Sequence, residues 1–509
     1  MLADLVSGTR VQEGWITEQR VARIATAFSS VGLTRGAVIS VLMRNDFPFL
    51  EILLAAERVG IIAVPLNWHA RPEDTGFILD DSGSAALFGH SDLINEVRPW
   101  VPERCKIVKI LPPPEIRSTY HLSEAKDDEA SEDLDYEDWL AAAEPFSGAS
   151  ASPPYRLFYT SGTTGRPKGV KRLAGSAELG ARAAERVRKA HGLNLTPIRA
   201  LMTGPLYHSA PNVYAMNCMK FGEILVLQPR FDAEQALRLI EAHRLSHLHA
   251  VPTMFSRLLD LPEERRARFN PSCLKAVVHG AAMCPADVKR AMIDWWGPVL
   301  LEYYAATEVG IVTAATSQEW LAHPGTVGRP PSGVEIRIVG SNGEALPVGE
   351  IGEITIASDV ASLVSYLHLP EETAELRYGD RVTLGDIGYQ NADGYLWLCD
   401  RKKDMVIIGG VNVFPAEIEA VIGRQDGVFD CSVFGVADRD LGESLVAVVQ
   451  ADPGATLGQA DIQAAVHREL GRLKVPKTVS FVDALPRDDS GKVARRKLRA
   501  AFLAIESDA

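Results

Sequence analysis

From Ile16 to Phe88 the apolar positions switch between two periods. Glu18–Val31 repeats them at three- and four-residue spacing, which predicts an amphipathic helix, and Ala37–Leu42 is a short continuous apolar run, which predicts a buried strand. Phe47–Val59 then reads as a helix and Gly60–Leu66 as a strand. Alternation of this kind predicts a parallel sheet covered by helices. A second series follows Tyr155: Gly222–Leu227 is a strand, Asp232 the N-cap of a helix through His243, and His247–Val251 and Leu274–His279 are further strands. Beyond Gly325 short strands alternate with Gly turns, at Val334–Val339, Gly352–Ala357 and Gly394–Cys399. From Pro415 the pattern is that of a compact α+β unit: Ala416–Gly423, Val428–Val436, Glu443–Ala451, Gln459–Leu470 and Thr478–Val482. The fold class expected is α/β, with a large N-terminal domain of βα-layered subdomains plus a small β-rich subdomain, followed by a small α+β C-terminal domain. The charged stretch Asp400–Asp404 marks the expected boundary, between residues 1–400 and 401–509.

Composition narrows the function classes. The chain has 509 residues, which at roughly 150 per domain suggests two to four folding units. A hydrophobic share of 46% and a charged share of 23% are those of an ordinary globular protein with room for a buried site. The net charge of −13 repels polyanions on average, so no nucleic-acid partner is expected. Glu124–Asp138 carries nine acids against one Lys with no ligand spacing, and reads as a solvated surface loop. The six cysteines show no C-x-x-C pair and read as reduced thiols. With no apolar leader and no run long enough to span a bilayer, a cytoplasmic protein without a transmembrane segment is expected.

The strongest local signal is Tyr159–Val170, YTSGTTGRPKGV. Its four Thr/Ser, three Gly and terminal Pro-Lys-Gly suit a loop whose backbone N–H groups, hydroxyls and Lys168 hold a polyphosphate; ordinary surface loops rarely combine them. It is not the G-x-x-x-x-G-K-[ST] P-loop, because Lys168 follows Pro167 and precedes Gly169. No protein-kinase set, G-x-S-x-G elbow or H-E-x-x-H is present in the sequence.

With its companions in order along nearly the whole chain, this motif resembles the adenylate-forming enzymes, which include acyl-CoA synthetases, aryl-CoA ligases, firefly luciferase and nonribosomal peptide adenylation domains. Tyr303-Tyr304-Ala305-Ala306-Thr307-Glu308 resembles the family's Y-G-x-T-E segment, and Leu384–Gly388 with Asp393-Gly394-Tyr395 its T-G-D…D-G-Y block. Asp400–Asp404 through Gly409-Gly410 to Pro415–Glu419 is similar to the hinge motif, and Leu485-Pro486 to Gly491-Lys492 and Arg495–Leu498 to the C-terminal lysine motif.

The resemblance implies attack of a carboxylate on the α-phosphorus of ATP, followed by thioester formation with coenzyme A. A carboxylate is ionised at neutral pH, so the absence of a catalytic triad is expected. The site must instead hold two anions together and spread the charge of the transferring phosphoryl group. By resemblance, Lys492 bridges the carboxylate and the α-phosphate, Thr307 contacts that phosphate and Glu308 is the ligand of Mg2+. Thr160, Ser161, Gly162, Thr163, Thr164, Gly165 and Lys168 cradle the phosphates. Gly280, Ala281, Glu302, Tyr303 and Tyr304 border the nucleotide, with Tyr304 stacked on adenine, and Asp386 and Arg401 take the ribose. Lys403 is the hinge about which the C-terminal domain swings, and Gly409 and Gly410 wall the coenzyme A tunnel, although a plain tight turn explains two glycines equally well.

His208 stands at the family's gate position beside the carboxylate tunnel. Ala210, Asn212, Tyr214, Met216, His279 and Tyr303 are the expected acyl pocket. Tyr303 occupies a position where hydroxycinnamate and luciferase relatives commonly have Gly; a phenol there shortens the pocket, and its hydroxyl, with Asn212 and His279, offers polar partners to a ring substituent. The substrate expected is an aryl, arylpropenoate or medium-chain acid. A long-chain fatty acid, a carrier protein as thiol acceptor, a luciferase-like oxygenase and a nucleotide-binding scaffold are the competing readings. His243, His247 and His249 read as structural, and Cys284 and Trp295-Trp296 as core. Dimers are frequent in the family, and the sequence leaves a homodimer open.

Overall fold

Strand–helix alternation builds two covered sheets. The computed structural model describes residues 1–123, 132–160, 166–487, 493 and 495–507. Its largest sheet runs Gly310–Thr316, Leu300–Ala306, Ala276–His279, His247–Ala250, Arg199–Met202, Ile224–Leu227, Asp4–Ser7 and Arg10–Gln12, parallel within and antiparallel at both edges. A five-stranded parallel sheet, Ile62–Pro65, Val38–Leu42, Ala86–His90, Lys106–Ile110 and Leu134–Asp135, lies beside it. Val38–Leu42 is buried at every position, as a parallel strand covered on both faces must be. One core joins the sheets, with Ile39, Phe49 and Ala55 from the second continuous with Met202, Tyr214 and Tyr303 at the first.

The helices begin and end where local chemistry directs. Phe47–Val59 starts at Asp46, whose carboxylate accepts from the Phe47 N–H, and ends at Gly60 with φ 75°. Asp232 caps Ala233–His243 by accepting from Gln235 N–H, as its sequence predicts.

A β-rich unit follows, with Val334–Val339, Gly352–Ser358, Arg381–Gln390 and Arg377–Tyr378 in order and Leu396–Arg401 on Arg381–Gln390. The C-terminal sheet, Val411–Val413, Val406–Ile408, Gly442–Ala451 and Val428–Asp438 with Thr478–Val482, has its own core around Ile418, Val433, Leu445 and Ile462. The architecture is the α/β class expected, large part before small.

Two details differ from the sequence pattern. Residues 155–173 are not the start of a βα series. Tyr155–Thr160 and Lys168–Leu173 pair as an antiparallel hairpin, which Val364–Tyr366 extends. Of the acidic stretch, residues 124–131 lie outside the described residues, and its remainder is no solvated loop. Tyr136–Ala141 is a helix capped by Asp135, because Tyr136, Trp139 and Leu140 at helical spacing are buried. Among the described residues no helix is long and apolar enough to cross a membrane.

Candidate active site

Several of the expected site residues follow the carboxyl ends of parallel strands, Gly280 and Ala281 after Ala276–His279 and Thr307 and Glu308 after Leu300–Ala306, where open α/β sheets usually bind ligands. After Leu300–Ala306 the chain reverses through Thr307, Glu308 and Val309 into Gly310–Thr316. Gly310 ends this turn at φ 72°, a conformation that a side chain disfavours. Thr307 and Glu308 are thereby presented at a hairpin tip. The Thr307 hydroxyl lies 3.0 Å from that of Ser209, the first residue of the helix Ser209–Phe221. Glu308 Oε1 accepts from the Tyr366 hydroxyl at 3.0 Å. The Tyr366 ring in turn lies 5.4 Å from Lys168 Nζ, which is 3.9 Å from Glu372.

Lys168 is placed by the hairpin register. Thr160 pairs with it across the two strands, so the segment between them is closed at its base with Lys168 opposite Thr160. Ser161, Gly162, Thr163, Thr164 and Gly165 lie outside the described residues, as does Lys492. Arg495, three residues after that lysine in sequence, is held by Glu419 at 2.6 Å, Asp400 at 3.3 Å and Asp404 at 3.5 Å, which ties the start of the helix Arg495–Ser507 to the stretch Asp400–Asp404.

Among the residues expected at the nucleotide, Tyr304 Oη donates to Asp386 Oδ2 at 2.5 Å, and Arg401 Nε lies 3.1 Å from Asp386 Oδ1. Burial and the Asp386 charge raise the Tyr304 phenol well above its ordinary value, so it stays a donor. Three of the expected nucleotide residues thus converge. Ala281 adopts φ 69°, unusual for a residue with a side chain, at the loop that follows Ala276–His279. Gly280 is required there because a Cβ would stand 2.7 Å from the Tyr303 carbonyl and 3.0 Å from its ring. Glu302 departs from expectation. Its carboxylate is buried and taken up by Lys289, whose Nζ lies 5.0 Å from the Trp320 ring, rather than offered to a ligand. Each buried charge needs the other.

The gate loop is clamped on both sides of one residue. Asn45 Oδ1 accepts from Leu206 N–H at 2.9 Å while its amide donates to the carbonyls of Gly204 and Gln228. Asn212 donates to the Leu206 carbonyl at 2.9 Å. His208, two residues on, is half-buried with its ring 4.4 Å from that of Tyr207. Asn212 therefore anchors the loop, with one of its amide hydrogens committed to the Leu206 carbonyl. His279 is a second correction. It is paired in register with Glu302, so strand alternation turns it to the face opposite Tyr303, against Phe255. The hydroxyl of Tyr303 instead meets His249 Nε2 at 2.9 Å. Tyr214 is fully buried nearby, with its ring 5.2 Å from that of His249, while Ala210 and Met216 are half-buried on the same helix.

At the hinge, burial lowers the Lys403 ammonium, opposed by Asp404 and Asp386. Gly409 and Gly410, at φ 55° and 83°, form the tight turn between Val406–Ile408 and Val411–Val413. Residues that sequence reasoning passed over are Ser209, Tyr366, Asn45 and Lys289. Each acts through a partner remote in sequence, and no local signal marks it.

The AMP-binding enzyme family model matches residues 17–364, and the AMP-binding enzyme C-terminal domain model matches 417–492. A feruloyl-CoA synthase of Amycolatopsis is 30% identical, covering 95% of this chain and 92% of its own. The medium/long-chain-fatty-acid–CoA ligase FadD8 of Mycobacterium tuberculosis is 30% identical, covering 97% and 86%. The crystal structure of ATP-bound MatB from Rhodopseudomonas palustris superposes with a TM-score of 0.84 at 26% identity, covering 98% and 95%. The chain belongs to the AMP-binding enzyme family, in the acyl-CoA synthetase branch of the adenylate-forming superfamily, and is a ligase of the acid–thiol class.

Proposed function

We propose that this ligase activates an aryl, arylpropenoate or medium-chain carboxylic acid as its adenylate and passes the acyl group to coenzyme A, releasing AMP. The observation that carries the reading is the convergence, at one sheet end, of Thr307 and Glu308 with Ser209 and the gate loop on one side and the Tyr304–Asp386–Arg401 set on the other. The acid enters past His208 already ionised, so its oxygen attacks the α-phosphorus without a base, and pyrophosphate leaves. Thr307, Lys168 and Lys492 take the charge of the transferring group. Glu308 and the Thr307 hydroxyl are hard oxygen donors that suit Mg2+ shared with phosphate oxygens, and such an ion would neutralise phosphate charge there. Tyr303, buried with its ring on Gly280, closes the pocket and supports a compact acid over a straight long chain.

For the second step, residues 401–509 swing against 1–400 about Lys403, withdrawing Lys492 and bringing Gly409-Gly410 to the adenylate. A cytoplasmic location belongs to the same reading. The test is AMP, pyrophosphate and thioester formation over a panel of acids, with and without coenzyme A. Coenzyme-A-dependent thioester with an aromatic or medium-chain acid supports the proposal, and ADP formation or no turnover refutes it. Lys403→Pro separates the steps, leaving pyrophosphate release while slowing thioester formation.

A further inference from the structure

Tyr303 belongs to a closed group of four polar rings. His191, at the end of the helix Ala177–Ala190, Tyr214, His249 and Tyr303 are all buried. His191 lies 5.1 Å from Tyr303 and 5.6 Å from Tyr214 between ring centroids, and Tyr214 lies 5.2 Å from His249. They stand on one face of the large sheet, since His249 is paired in register with Val278, which belongs to the same core as Tyr303.

Their hydrogen-bonding capacity is not used up. The His249 Nδ1 and His191 Nδ1 atoms have no partner, and the Tyr214 hydroxyl meets only the Cys218 thiol. The His249–Tyr303 pair makes the shortage explicit. A neutral imidazole and a phenol own two polar hydrogens, and their mutual bond uses one. Whichever ring donates, one donor and one acceptor of the pair remain. Buried polar groups left so are costly, which makes an unfilled cluster a poor filling for a core. Burial also holds these imidazoles uncharged, pushing His191 down to about 3 and His249 to about 4.

Two of the rings share elements with the residues at the hairpin tip: Tyr303 stands four residues before Thr307 at the end of the strand Leu300–Ala306. Tyr214 is five residues along the helix from Ser209, roughly 7.5 Å at 1.5 Å per residue. Ser209 touches Thr307.

We propose that His249 and Tyr303, with His191 and Tyr214 around them, read an uncharged oxygen function, a hydroxyl or ketone, at the end of the acid remote from its carboxylate. The inference rests on the ligase reading and deepens it. The cluster supplies one donor and one acceptor, which a hydroxyl or carbonyl oxygen satisfies and a methyl group leaves stranded. The four rings, uncharged in their buried setting, offer a second carboxylate no positive charge.

The test compares acids that differ only in that group: 4-hydroxycinnamate against 4-methylcinnamate, and 6-hydroxyhexanoate against heptanoate, by kcat/KM for pyrophosphate release with the full chain. The oxygenated member of at least one pair should be favoured by about tenfold or more, because a site built to bond an oxygen rejects the analogue lacking it. Tyr303→Phe and His249→Leu should each bring that ratio towards one. Equal rates within both pairs in the unmodified enzyme overturn the inference whether or not the variants fold, and so does a preference that survives both substitutions; in either case thioester formation leaves the ligase reading standing. Absence of AMP with every acid overturns both.

Discussion

The Ser209 hydroxyl lies 3.0 Å from the Thr307 hydroxyl, so the first turn of the helix Ser209–Phe221 is bonded to the hairpin tip that carries Thr307 and Glu308. On the proposed reading, this bond joins the acid side to the nucleotide side. Ser209→Ala removes it without adding bulk, and at about 1 kcal/mol for a neutral bond the expected loss in adenylation kcat is about fivefold. Thr307→Val should cost more, because it also removes the phosphate donor; pyrophosphate release under saturating ATP measures both.

Tyr366→Phe leaves Glu308 without its hydrogen bond. Partners of metal-binding carboxylates commonly tune affinity by about 10-fold or more. The Mg2+ concentration for half-maximal adenylation should rise, with the fold unchanged by circular dichroism. An unchanged Mg2+ dependence would remove Tyr366 from any role in placing Glu308.

Lys289 and Glu302 form a buried ion pair beneath the same strand. Removing one partner leaves an uncompensated charge, so Lys289→Met should destabilise by about 3–5 kcal/mol in urea unfolding, while Lys289→Met with Glu302→Leu should recover most of the loss. Adenylation by the refolded double variant would show that Glu302 is not needed for the nucleotide.

Four histidines are held neutral by burial: His191 down to about 3, His247 and His249 to about 4, and His279 well below its ordinary value. Each takes a proton on unfolding at acid pH, where the exposed imidazole titrates near 6.5. Their stabilisation is present above about pH 6.5 and lost as pH falls towards about 4, at about 1.4 kcal/mol per pH unit for each fully titrating group. The urea midpoint should therefore fall steadily below pH 6.5. His247→Asn, which alters a residue bonded to Ser246 and the Gly192 carbonyl away from the proposed ligands, should reduce the steepness by about one proton. A flat profile over this range would contradict the burial of these rings.

How much of this is legible in the chain depends on the range of the interaction. Phe47–Val59, Val334–Val339 and Gln459–Leu470 are readable because apolar period and caps lie within a few residues of one another. The reaction class is readable for a similar reason. Phosphate loops, the hairpin-tip Thr307-Glu308 and the Gly409-Gly410 turn are short segments whose residue types state their backbone geometry and their donors.

Which side chain meets which is different, because it depends on the order of strands in the sheet and on parity along each strand. His249 reads as structural and His279 as a partner for Tyr303, yet His279 is in register with Glu302 and so faces the other way, and His249 holds the hydroxyl. One residue of register exchanges the faces, and nothing local encodes it. Asn212 looks free to bind a substrate until the fold brings the Leu206 carbonyl to it, and Glu302 looks available to a nucleotide until Lys289 arrives from a neighbouring helix. The sequence by itself determined the family, the reaction class and the layered architecture. Only the tertiary structure decided what lines the acyl end, because a buried polar atom takes its partner from whatever the sheet order places beside it.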